Sequence, residues 1–78
     1  CAMNRPALTP AQIIEAARKR LAKARSAESI EFEHDTSIGM LYTLADLRLI
    51  DLDTYDRLRA EFDTLADSRR ALLKGGAQ

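Results

Sequence analysis

The sequence predicts an all-α fold: a three-helix domain whose last two helices form an antiparallel helical hairpin, associating as a homodimer. Three observations carry this reading. Ala, Leu, Arg and Asp are abundant, whereas only four of 78 residues are aromatic and Trp is absent, a balance that favours helix over sheet. Apolar residues recur at spacings of three and four in separate stretches of the chain. A chain this short buries a modest fraction of its surface, so lightly aromatic helices need a second copy or a partner to cover the rest.

Residues 1–8 lack periodicity and include Pro6, and so read as a disordered lead-in, with Cys1 and Ala2 a cloning remnant ahead of Met3. Thr9, Pro10 and Gln12 then supply an N-cap, a proline at N1 and a Thr-x-x-Gln capping box, with Leu8 and Ile13 as the hydrophobic staple. Ile13, Ile14, Ala17, Leu21 and Ala24 form a thin apolar stripe that predicts a first helix from Pro10 to Ala27, lying on a surface made by the other two. From Ser29 to Thr36, Ile30 and Phe32 alternate with acidic residues, which predicts an extended linker; the alternative is a strand paired with a second subunit or a target.

The central helix is expected from Ser37 to Leu49, capped by Asp35, Thr36 or Ser37 and apolar on most sides. Gly39, Thr43 and Asp46 share one narrow face, open to another backbone or to solvent. Asp51 or Asp53 caps a third helix from Leu52 to Lys74, whose seam of Tyr55, Leu58, Phe62, Leu65 and Leu72 is broken by Arg69. Gly75-Gly76 ends it and opens a flexible tail over residues 75–78. With the central helix about 20 Å long and the third about 30 Å, Leu65 to Leu73 overhang and need a cover. The single domain therefore spans residues 9–74.

The net charge is zero but unevenly distributed. Residues up to Arg25 carry +5, Ser26 to Asp67 carry −8, and the remainder +3. The acidic middle suits a partner that is basic at the contact. No apolar run approaches the roughly 18 residues of a membrane span and no signal-peptide pattern precedes the helices, so a cytoplasmic protein is expected.

Nothing in the sequence asks for catalysis or a cofactor. His34 stands alone between Glu33 and Asp35, without a second histidine or a usable cysteine for zinc, and Cys1 is given no role. Ser26, Ser29, Ser37 and Ser68 sit where caps or surfaces want them, and the i,i+2 pairs Asp51/Asp53 and Glu61/Asp63 diverge on a helix. There is no glycine-rich phosphate loop. A carboxylate in so apolar a helix as Asp46's is costly if buried alone, so it faces solvent, pairs with Arg48 or Arg18, or projects at a partner.

The stretch Tyr42-Thr43-Leu44-Ala45-Asp46-Leu47-Arg48-Leu49 resembles the Tyr-Ser-x-Ala-Asp-x-Arg-Leu stretch of the Hha/YmoA family. These are small helical modulators that associate with nucleoid-structuring proteins of the H-NS type. The resemblance covers about eight positions and implies that Asp46 contacts a basic partner; this chain is about eight residues shorter between that block and the family's preceding helix.

The expected function is a small non-enzymatic protein–protein interaction module, a regulator, adaptor or inhibitor. It would bind another protein through an apolar helical face and acidic surface, with Asp46, Tyr42, Leu65, Leu72 and Leu73 as partner-binding residues. The alternative is a nucleoid-associated or DNA-binding modulator, with Arg18, Lys19, Lys23 and Arg25 contacting phosphates. Against it stand Asp53, Asp56 and Glu61 on the helix that would enter a groove.

Overall fold

A computed structural model describes residues 8–76, which form three helices, α1 (Pro10–Ala22), α2 (Ala27–Asp46) and α3 (Leu52–Gly76). There is no strand among the described residues. Residues 1–7 of the expected lead-in and residues 77–78 of the expected tail lie outside them.

The start of α1 is the capping box read from the sequence. The Gln12 N–H donates to Thr9 Oγ1 over 3.1 Å, and the Thr9 N–H donates to Gln12 Oε1 over 2.9 Å. The helix ends at Ala22 rather than Ala27, because Ser26 is extended (φ −136°) and caps the next helix by accepting the Ser29 N–H at 3.0 Å.

That cap overturns the extended linker. Ser29 to Thr36 is helical, and α2 begins ten residues earlier than Ser37. In a helix, Ile30, His34, Ser37, Leu41 and Leu44 fall on one face at spacings of four and three; Ile30, Ser37, Leu41 and Leu44 are buried and His34 half-buried. The alternation of Ile30 and Phe32 with acids is incidental, since Phe32 points outward and remains 67% exposed. Ser37, expected as a cap, is fully buried within α2.

The other end of α2 is also displaced, from Leu49 to Asp46. Arg48 adopts a left-handed conformation (φ 62°), its N–H donates to the Ala45 carbonyl over 3.0 Å, and the Leu49 N–H reaches the Leu44 carbonyl over 2.9 Å. This is the helix-ending pair of bonds that glycine ordinarily provides, here built on an arginine. Asp51 then caps α3, its carboxylate accepting the Thr54 N–H at 2.8 Å and its carbonyl the Tyr55 N–H at 2.9 Å. Helix α3 runs on through Gly76, so the diglycine does not stop it among the described residues.

Helices α2 and α3 meet in a regular ladder. Tyr42 tilts against Tyr55 with ring centroids 6.4 Å apart, His34 Nε2 lies 2.6 Å from Asp63 Oδ1, and Arg70 pairs with Glu31 at 2.8 Å. Residues further before the turn thus meet residues further after it. Helix α1 leans on both, through Arg20 to Glu33 at 3.2 Å, Arg18 to Glu61 at 2.5 Å, and Arg69 to the Ala24 carbonyl at 2.7 Å. Between them sits a small aliphatic core in which Leu21, Ile30, Leu41 and Phe62 are the largest fully buried apolar side chains. The fold as a whole is flat, with extents of 48 × 36 × 15 Å, so few residues are enclosed from every side.

Twenty residues make α2 about 30 Å long, half as much again as expected. The overhang of α3 shrinks accordingly: Ala66 is buried, Leu65 and Leu73 are half-buried against the core, and Leu72 is exposed.

Candidate protein interface

The largest apolar exposure gathers where α2 turns into α3. The left-handed Arg48 ends α2 abruptly, and of residues 47–51, which cross to α3, only Ile50 packs against the core. Leu47 is 63% exposed, Leu49 53%, Leu52 72%, and Tyr42, one turn before the end of α2, 62%. An open cleft of about 580 Å³ lies at this turn, lined by Ala45, Asp46, Arg48, Leu49, Ile50, Asp51 and Leu52. Apolar side chains rimmed by charge are the composition of a contact surface.

The rim is mostly acidic. Asp46, Asp51, Asp53 and Asp56 are all exposed at this end, with Arg48 among them. Thr54 holds the Asp51 carboxyl below its ordinary range, through its side chain first and then through its backbone N–H, which donates to Asp51 over 2.8 Å.

The expected site residues divide into two groups. Asp46 ends α2 and lines the cleft, whereas Tyr42, one turn earlier, lies outside that lining and tilts its ring against Tyr55. Asp46 is exposed and makes no ion pair among the described residues. Arg18, one partner expected for it, is held instead by Glu15 and by a two-pronged bond to Glu61, contacts that raise its pKa. Leu65, Leu72 and Leu73 belong to the distant half of α3; Leu65 lines a groove of about 640 Å³ with Arg18 and Ala22 of α1, while Leu72 and Leu73 reach neither opening.

Of the residues expected at phosphates, Arg18 is thus engaged internally, as is Arg20 with Glu33. Lys19, Lys23 and Arg25 are exposed and carry no ion pair among the described residues.

Leu47, Leu49 and Leu52 were not expected in the site, and Phe32 was expected to pin a linker. A signal for the leucines exists in Leu47-Arg-Leu-Ile-Asp-Leu52: apolar residues at i, i+2, i+3 and i+5 do not fit one helix face, so a break there leaves some outside. Among the described residues no three His, Cys, Asp or Glu side chains converge as metal ligands, and no helix is long and apolar enough to cross a membrane.

No family model, curated protein or solved structure matches this chain. The likeness to the Hha/YmoA family accordingly rests on Tyr42–Leu49 alone. Those residues straddle the last turn of α2 and the left-handed Arg48.

Proposed function

We propose that this chain is a non-enzymatic protein-binding module in which α2 and α3 form an antiparallel hairpin and present their turn to another protein. The carrying observation is that Tyr42, Leu47, Leu49 and Leu52 are each more than half exposed near this turn, where Leu49 and Leu52 line a cleft edged by Asp46 and Asp51. Removing such a half- to three-quarters-exposed leucine from water at a contact contributes on the order of 1–2 kcal/mol, set against the cost of association. The acidic rim selects a partner with basic residues beside an apolar anchor, and makes the association rate fall with salt.

The test compares the wild-type chain with Leu47→Lys/Leu52→Lys as baits for proteins of the native host. Wild type should retain a protein that the double variant loses while keeping its helical circular dichroism, and retention should weaken with salt. Identical capture by both baits would overturn the reading. A shift of duplex DNA that falls steeply with salt, and that survives the leucine changes, would move the function to Lys19, Lys23 and Arg25.

A further inference from the structure

The inward faces of α2 and α3 are two halves of one repeat. From Ile30 to Leu44 the core-facing positions of α2 are spaced alternately by four and three, and those of α3 from Tyr55 to Arg69 follow the same alternation. Continued through the turn from Leu44, it falls on Arg48, then Asp51, then Tyr55. The five residues between the helices thus keep the phase of an unbroken helix. Neither Gly nor Pro occurs from Met40 to Lys74, so the composition of the turn does not forbid one.

The turn is also where the chain is least at ease. Arg48 holds a left-handed φ of 62°, and Leu47, Leu49 and Leu52 stand exposed around it. The contacts of the α2–α3 ladder, Tyr42 to Tyr55, His34 to Asp63 and Glu31 to Arg70, are all centred between Arg48 and Asp51. Two unbroken helices laid antiparallel about a two-fold axis between Leu49 and Ile50 therefore re-form each contact between chains, α2 of one copy against α3 of the other, with no change of register. The same register sets Arg48 opposite the partner's Asp51, so the two seam positions inside the turn carry opposite charges and meet twice. Leu47 and Leu52 flank them and fall opposite one another across the axis. Helix α1 keeps Arg20 on Glu33 of its own chain and takes its Arg18 and Arg69 bonds from the exchanged α3.

We propose that this chain has a second folded state, a two-fold dimer in which α2 and α3 join into one helix and two copies exchange α3. Exchange relieves the left-handed Arg48 and covers Leu47 and Leu52, while Asp51 gives up its cap for the pair with the partner's Arg48. The cost of bringing two chains together keeps the compact form favoured in dilute solution. The exchanged form has no turn, so the docking surface proposed above belongs to the compact chain alone. Whether the copies exchange does not depend on that surface.

The purified chain, refolded at low and at high concentration with no other protein present, decides it. Sedimentation equilibrium should show a species near twice the 8.7 kDa mass that grows with concentration. In X-ray scattering its longest dimension should be about 75 Å, the length of one helix over residues 27–76, against 48 Å for the compact chain. Tyr42→Cys/Tyr55→Cys, with Cys1→Ser to leave no other thiol, places two thiols on facing residues of α2 and α3. Oxidised in the dimer they should join two chains on a non-reducing gel, and oxidised in the dilute chain they should close within one. Leu52→Pro suits the first position of α3 but breaks an unbroken helix, so it should abolish the dimer and leave the compact fold. Arg48→Gly, which eases the left-handed turn and weakens helix, should lower dimer affinity by about a hundredfold or more. A single-chain mass at every concentration, a dimer whose disulfides close within each chain, or a dimer indifferent to Leu52→Pro or to Arg48→Gly would each overturn the proposal.

Discussion

Arg69 Nη2 donates to the carbonyl of Ala24 over 2.7 Å, so the residue that interrupts the apolar seam of α3 is the one that closes the end of α1. Ala24 is buried just past that helix, where a carbonyl without a partner is costly. Arg69→Ala removes a charged donor and the packing of its stem, and should destabilise the fold by about 2 kcal/mol in urea unfolding. Both variants eliminate the buried Nε, which has no partner among the described residues, but Arg69→Leu should lose less because it fills the seam that alanine leaves open. Equal loss from both variants would mean that the bond, not the packing, sets the effect.

Arg48 sits at φ 62°, where an L side chain crowds the following carbonyl. Arg48→Gly should stabilise the domain by about 1 kcal/mol, the relief of the left-handed strain exceeding the added freedom of the unfolded chain. Arg48→Ala keeps the strain and should match the wild type. The midpoint of urea unfolding reads both.

How legible the fold was from the sequence follows from these same residues. Thr9, Pro10 and Gln12 declare the start of α1 because their bonds are local, and the third helix is readable from Asp51 onward for the same reason. The central helix was misplaced at both ends. Ser26 looked like part of α1, and the Ile30 to Phe32 alternation imitates a strand over too few residues to separate period 2 from 3.6. At the other end an arginine occupies a glycine's role, which no local pattern announces. The candidate interface suffered most, since Leu47, Leu49 and Leu52 are exposed only because the helix stops at Asp46. Tyr42 and Asp46 stand on α2 proper, so their exposure does not depend on where the helix stops, whereas Leu65 was assigned to an overhang that a longer α2 largely covers.

Ser37 is fully buried and its hydroxyl has no hydrogen-bond partner among the described residues. A lone polar atom in the core costs about 1–3 kcal/mol. Ser37→Ala removes it with little change in volume and improves helix propensity, so it should raise stability by about 1 kcal/mol. Ser37→Val, equally apolar but larger and β-branched, should not, because the site is enclosed. A loss of stability in Ser37→Ala would show that the hydroxyl is bonded in solution.

The cap of α3 makes part of the stability depend on acid. The Thr54 side chain, and after it the Thr54 N–H, holds the Asp51 carboxyl below its ordinary range, so the folded chain binds this proton less readily than the unfolded one. The stabilisation is complete above the unfolded value of about 3.9 and disappears as pH falls from there through the lower folded value. Asp51→Asn keeps a side-chain oxygen for the cap and cannot titrate. Its stability near neutrality should stay close to wild type, while the acid-limb decline below the unfolded aspartate range should be shallower. Urea midpoints taken across the acid limb for both proteins compare the slopes. Parallel curves would mean that other carboxylates, with Asp51 contributing nothing measurable, govern the acid unfolding.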